Sequence, residues 1–220
     1  MGLLSGLRAV LGLRAETDAR RDADPEDLFG MSTAHMTMRA DLGYDVVPAA
    51  ALCFSGVDSM DFADAVDEVS AILDAGREET GTDFALVDDD HGYRWVVLED
   101  EDPEDLVTGM HFAADTLVER GYGSRLLAAV FGFESANGPG ASSGGESSNG
   151  TDTASTERAY WIYSFRRGSF YPFAPRDGRE RDSSVEVRLE SRLDDELAVE
   201  DDREYWYPLW PNESGRHPWE

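Results

Sequence analysis

The chain has no lysine. All 19 of its basic residues are arginine, and they face 46 acidic residues, for a formal net charge of −27 over 220 residues. A folded chain of this size exposes roughly 10,000 Å² by surface-area scaling, or about one net negative charge per ~370 Å². In dilute buffer that density opposes compaction by self-repulsion. In molar salt the Debye length falls to about 3 Å and the repulsion is largely screened. The composition is therefore that expected of a protein working in a high-salt cytoplasm. The shortage of cations also excludes general nucleic-acid binding, which needs clustered basic groups to release phosphate counterions.

Cysteine is nearly absent. Cys53 stands alone, so neither an internal disulfide nor a CxxC metal site can form. It lies in the apolar run AAALCF and reads as a small buried hydrophobe. No apolar run reaches the roughly 18 residues that would span a bilayer, and the first 14 residues lack a signal-peptide layout. A cytoplasmic protein is expected.

Reaction motifs are missing too. There is no GxSxG elbow and no HExxH. Gly138-Pro139-Gly140 and Gly144-Gly145 are not followed by the Lys-Ser/Thr of a phosphate loop. Asp88-Asp89-Asp90-His91 lacks the spaced ligands, central glycine and terminal glutamate of a calcium loop, and reads as a solvated turn. No catalytic residue, metal-ligand set or cofactor is assigned, and a non-enzymatic protein is expected.

What is present is hydrophobic periodicity, with 41% apolar residues, enough for a sizeable core. Over 1–14, Leu3, Leu4, Leu7, Val10 and Leu11 share one face of an amphipathic helix made basic by Arg8 and Arg14. Such a helix can dock on its own domain, on a partner or on a membrane surface. An acidic linker over 15–27 sets it apart from a single domain over 28–220. Within the domain, 33–40 reads as a strand on Met36 and Met38, and 46–54 as a buried strand broken or begun at Pro48. Residues 61–75 read as a helix stopped by Gly76, and 84–87 and 93–98 as a hairpin. Asp102-Pro103-Glu104-Asp105 is a capped helix start, with Leu106, Met110, Ala113, Leu117 and Val118 as its buried stripe. A strand over 126–133 follows. Residues 137–156 are Gly/Ser/Thr-rich and read as a disordered insertion. Strands over 158–165 and 170–173, a helix over 182–197 and an aromatic end, REYWYPLWP, packing back on the body complete the chain.

Strand, helix, strand, strand, helix, strand over 46–133 is the ferredoxin-like split order. The fold expected is α+β: an antiparallel sheet with helices mainly on one face, extended by a C-terminal β-hairpin and helix.

Two features are candidates for function. His111 and Asp115 lie four apart on one helix, a spacing for a metal pair or an oriented base, or simply for a histidine bonded to its neighbour. The second is the run 158–176, RAYWIYSFRRGSFYPFAPR, which holds four arginines, no acid and seven of the 23 aromatics. Alternation puts Tyr160, Ile162 and Ser164 on one face and Trp161, Tyr163 and Phe165 on the other, as in a strand covered on both sides. The turn, with Arg166, Arg167, Phe170, Tyr171 and Phe173, could instead present aromatic anchors with flanking cations, the chemistry of interaction hot spots.

These residues resemble the PspAB family of PspA-associated proteins. The matching pieces are Met1-Gly2-Leu3-Leu4, Asp27-Leu28-Phe29, Cys53-Phe54, His91-Gly92-Tyr93-Arg94-Trp95, the 106–117 helix with His111, Trp206-Tyr207-Pro208-Leu209-Trp210 and, most specific, Gly168-Ser169-Phe170-Tyr171-Pro172-Phe173-Ala174-Pro175. The insertion at 137–156 and the extreme acidity depart from the family pattern. The resemblance implies an accessory role beside a PspA-like coiled-coil protein in the phage-shock response to envelope stress. It carries over no catalytic residue. Leu3, Leu4 and Leu7, with the hairpin turn, are the candidate contacts, and the helix suits peripheral contact at the inner membrane face. The alternatives are a metal-dependent regulator or small enzyme using His111, and a structural homodimer.

The charge density yields the first prediction. The thermal unfolding midpoint rises as KCl is raised from about 0.1 M to molar concentration, where the Debye length drops from about 10 Å to about 3 Å. A midpoint indifferent to salt would remove the high-salt reading.

Overall fold

The computed structural model describes residues 22–89, 92–135, 157–213 and 215–220. The expected helix over 1–14 with Leu3, Leu4 and Leu7 and the insertion over 137–156 lie outside them, as do Asp90 and His91 of the acidic turn.

Six strands form one sheet: β1 (Tyr44–Ser55), β2 (Asp83–Asp88), β3 (Tyr93–Glu99), β4 (Leu126–Ser135), β5 (Arg158–Ser164) and β6 (Ser169–Phe173). Their spatial order is β2-β3-β1-β4-β5-β6, and every pairing is antiparallel. A short ribbon, β7 (Pro175–Arg176) with β8 (Glu180–Arg181), stands apart. Among the described residues the α-helices are α1 (Met31–Thr37), α2 (Met60–Thr80), α3 (Pro103–Glu119) and α4 (Ser183–Leu193). The protein is thus α+β with an antiparallel sheet.

Each face of the sheet has its own core. On one face Leu52, Phe54, Leu98, Phe131, Trp161 and Tyr163 meet the apolar stripes of the helices, among them Met31, Phe62, Met110 and Leu189. On the other, Cys53, Trp95, Val130, Tyr160, Ile162 and Tyr171 are covered by Trp206, Leu209 and Trp219 from the C-terminal segment. With both faces covered, the central strands read as continuous apolar runs rather than clean alternation. This is why 126–133 is apolar throughout and why the C-terminal aromatics are needed.

Local chemistry sets the ends. Asp102 accepts from the Glu104 N–H at 2.9 Å with Pro103 in the first turn of α3. Asp182 accepts from the N–H groups of Ser184 and Val185 at 3.1 and 3.2 Å and starts α4. Pro48 lies in central strand β1, where it cannot donate to a ladder. The β1–β4 register shifts between Val46 and Ala50, around the proline, so β1 begins earlier and passes it.

Several expectations are corrected. Residues 33–40 are not a strand: Met31, Ala34 and Met38 are buried at helical spacing, on α1 and the π-helical turn Met38–Leu42 that follows. Helix α2 runs past Gly76 and ends at Gly81, whose φ of 83° provides the left-handed cap. Helix α4 stops at Leu193, and Leu197 is buried from the loop beyond it. Val118 leaves the buried stripe of α3 and is exposed.

Two glycines give opposite predictions. A Cβ at Gly76 would meet nothing within 4 Å, so Gly76→Ala raises stability by about 1 kcal/mol through helix propensity. A Cβ at Gly109 would lie 2.8 Å from Leu98 Cδ1 in the core, so Gly109→Ala costs about 1–3 kcal/mol by overpacking. Denaturant midpoints of the two variants check both signs.

Candidate functional site

The aromatic hairpin occupies β5, the turn 165–168 and β6. Pairing runs from Tyr160↔Phe173 to Ser164↔Ser169. Gly168, with φ 62°, closes the turn, and its N–H bonds the Ser164 carbonyl at 2.8 Å. The side chains divide between the two faces as alternation predicts: Trp161, Tyr163 and Phe170 pack toward the helices, and Tyr160, Ile162, Tyr171 and Phe173 toward the C-terminal segment.

The rings of Phe170, Tyr171 and Phe173 are buried, at 1%, 0% and 0% exposure. They do not form the exposed anchor that the turn could have offered. The physical reason is the cover on both faces, which leaves no solvent side for a ring to occupy. Pro172 fits because β6 is the last strand of the sheet order, where a missing N–H costs no ladder bond.

The polar tips of these rings bolt peripheral segments to the sheet. Tyr163 Oη donates to Asp27 Oδ2 at 2.7 Å and accepts from the Asp24 N–H at 3.1 Å, tying down residues assigned to the linker. Tyr171 Oη donates to the Tyr207 carbonyl at 3.0 Å, and Trp161 Nε1 contacts Met38 Sδ at 3.4 Å. Tyr160 Oη lies 3.0 Å from His217 Nδ1, and the His217 ring stacks on Trp219. Burial pushes the Tyr160 and Tyr171 hydroxyls above the ordinary range.

The arginines are engaged as well. Arg167 is buried, with Nε donating to Glu200 Oε2 at 2.7 Å and Nη2 to Oε1 at 3.0 Å. Its Cζ lies 3.7 Å from the Tyr205 ring centroid. Ser169 Oγ and the Asp202 N–H, each at 3.1 Å, complete the Glu200 carboxylate. Arg166 donates to the Ser124 carbonyl at 2.7 Å, Arg158 to Glu134 at 2.7 Å, and Arg176 Nε to Asp182 at 2.8 Å. Three of the four arginines of the basic island are therefore paired with carboxylates in the fold, and Arg166 bonds a backbone carbonyl. Glu200 had no signal of its own, lying in the acidic run 200–202. The usable signal was the excess of carboxylates, which makes pairing the default fate of every arginine.

His111 is half-buried on α3. Its ring centroid lies 4.6 Å from that of Phe29 and 5.7 Å from that of Phe112. Nδ1 is shielded without a hydrogen-bond partner among the described residues, and no bond to Asp115 forms. The ring thus sits in an aromatic setting, flanked by Phe29 at 42% and Phe112 at 49% exposure. Among the described residues no group of three His, Cys, Asp or Glu side chains is placed to hold a metal ion, and no helix is long and apolar enough to cross a membrane.

The Arg167–Glu200 pair gives a prediction in two parts. Glu200→Gln leaves a buried guanidinium without its counter-charge and lowers stability by about 3–5 kcal/mol. The acid limb changes too. Burial pushes the Glu200 carboxyl up, but the bonds from Arg167, Asp202 and Ser169 outweigh it and hold the carboxyl below the usual range. Its stabilisation is therefore complete above the unfolded value of about 4.3 and is lost as pH falls through the lower folded value. Denaturant titrations from pH 7 to pH 3 should show a shallower loss in Glu200→Gln than in the unaltered chain. Parallel slopes would refute this role for Glu200.

A family model described as PspA associated protein B matches residues 1–219. No curated protein and no solved structure matches the chain. A match over almost the whole length, taking in the aromatic hairpin, α3 with His111 and the C-terminal cover alike, places the chain in the PspA associated protein B family.

Proposed function

We propose that the chain is a non-enzymatic accessory protein that binds a PspA-like coiled-coil protein in the phage-shock response to envelope stress. The family match across residues 1–219 carries this reading, because the family's description is of a protein associated with PspA. The arginines of the hairpin turn, Arg167 and Arg166, are engaged in internal bonds and are not the contact proposed for the partner.

Phe170, Tyr171 and Phe173 are buried and present no ring to a partner. Leu3, Leu4 and Leu7 of the N-terminal segment are the proposed contact, with the PspA-like protein first and a cytoplasmic membrane face second. The net charge of −27 opposes an anionic membrane until salt screens it.

Co-purification with a PspA-like protein at molar KCl tests the proposal. A complex with the full chain, lost on deleting residues 1–14, is the expected result. Phe170→Ala should lower stability by about 3–5 kcal/mol while the folded fraction keeps the partner. No complex with the full chain would sink the reading, and a complex that survives the deletion would clear the N-terminal segment.

A further inference from the structure

We propose that the cleft between the β7–β8 ribbon and the C-terminal segment binds an acidic peptide segment of a partner protein, with its carboxylate taken by Arg179. The choice of a protein partner rests on the accessory role proposed above, but the chemistry of the cleft does not. The cleft has a volume of about 870 Å³, within the size range of small-ligand and peptide side-chain sites. Its walls include Tyr160, Pro175, Trp210 and Pro211, surfaces against which apolar side chains can pack.

Charge sets it apart. Four arginines line it: Arg158, Arg176, Arg179 and Arg216. So do four carboxylates: Glu157, Asp177, Glu180 and Asp182. The lining is balanced in a chain that carries −27, so an anion repelled by the rest of the surface meets no net repulsion here. Balance also selects the anion. A single carboxylate needs one guanidinium fork, whereas a phosphate dianion needs a surplus of cations that the cleft lacks.

Two of the arginines are committed. Arg158 bonds Glu134, and Arg176 bonds Asp182, which also caps α4. Arg216 is held loosely, 3.5 Å from Glu213 and 3.9 Å from Glu220. Arg179 has no hydrogen bond or ion pair among the described residues. It is also the one described non-glycine residue with positive φ, at 58°, beside Gly178 at 81°. Two successive left-handed positions favour Gly, Asn or Asp, and a long side chain there is a local cost. Among the described residues the arginine makes no bond that would offset that cost. Such strain is retained where the side chain serves a site, and this side chain lies on the wall of the cleft.

The test uses the full chain at constant molar KCl. The probe is a blocked synthetic peptide alternating Glu and Leu, with a counterpart carrying Gln for Glu, and binding is read by calorimetry and tryptophan fluorescence. We expect saturable binding of the Glu peptide and at least about tenfold weaker binding of the Gln peptide, the scale of one charge-assisted hydrogen bond. Arg179→Gln should weaken the Glu peptide by a similar factor. Arg179→Gly should do the same while raising the melting midpoint, which separates lost binding from lost folding. Equal binding of the two peptides, no saturable binding, or full binding by Arg179→Gly overturns the proposal. So does preferential binding of inorganic phosphate or of phosphatidylglycerol vesicles, which would make the cleft a phosphate or headgroup site. If the peptide binds but a purified PspA-like protein does not, the accessory role falls and the cleft stands. The reverse result removes the cleft alone.

Discussion

A guanidinium and a carboxylate removed from water must meet in good geometry or destabilise the protein, and the Arg167–Glu200 pair shows what that demands here. Its two forks close at 2.7 and 3.0 Å. The remaining acceptor capacity of Glu200 is used by Ser169 and by the Asp202 N–H, and Tyr205 lies under the guanidinium. The hairpin turn is thereby locked to residues 198–205. From there the chain pairs with β6, through the Phe170 N–H to Ala198 and the Glu200 N–H to Phe170, both at 2.8 Å. This seals the last edge of the sheet and launches the segment that covers its second face. If the pair failed, Trp206, Leu209 and Trp219 would lose their anchor and Tyr160, Ile162 and Tyr171 their cover.

The absence of lysine fits this architecture. A buried cation must satisfy several acceptors in fixed directions, which a planar guanidinium does and a hydrated ammonium does poorly. Arg181 repeats the pattern: it donates to Glu186 at 2.8 Å and to the Trp206 carbonyl at 2.5 Å. Glu186 in turn accepts from the Ala174 N–H at 3.0 Å. Two buried glutamates, each read by an arginine, thus clamp the hairpin and the C-terminal cover to each other. A chain so acidic can form such nodes readily, because any arginine brought inside has many carboxylates within reach. The exposed pairs, such as Arg39 with Asp45, contribute far less, being open to solvent and salt.

How much of this was legible depended on the range of the interaction. Caps were legible, because Asp102-Pro103 and Asp182 act on N–H groups two or three residues away. Strand alternation was legible in 158–165, because each residue's face is fixed by its neighbours. Gly76 misled because a single exposed glycine costs a 21-residue helix about 1 kcal/mol, far less than its packing provides. Residues 33–40 misled because two methionines at even spacing resemble a strand, while the decisive residues, Met31, Ala34 and Met38, span a wider window. Glu200 was invisible because its partner lies 33 positions away. The candidate site suffered most from this, since whether an aromatic run is surface or core is decided by what covers it, and that cover comes from the far end of the chain.

The run that most specifically resembles the family, Gly168 to Pro175, can now be read residue by residue. Gly168 provides the left-handed turn, Ser169 completes the Glu200 shell, and Phe170 enters the helical core. Tyr171 and Phe173 enter the other core, Pro172 sits on the last strand, and the Ala174 N–H is taken by Glu186. Every position has a reason internal to the fold. A motif of this kind identifies a family by what is needed to build it, and it says nothing of where a partner sits. Pro175 is the point at which that logic ends: there the chain leaves the sheet, forms the ribbon that carries Arg179, and opens onto the cleft. The recognition chemistry proposed for this protein therefore lies just past its most recognisable sequence, on a ribbon where Arg176 and Arg181 are paired with Asp182 and Glu186 and Arg179 has no ion pair among the described residues.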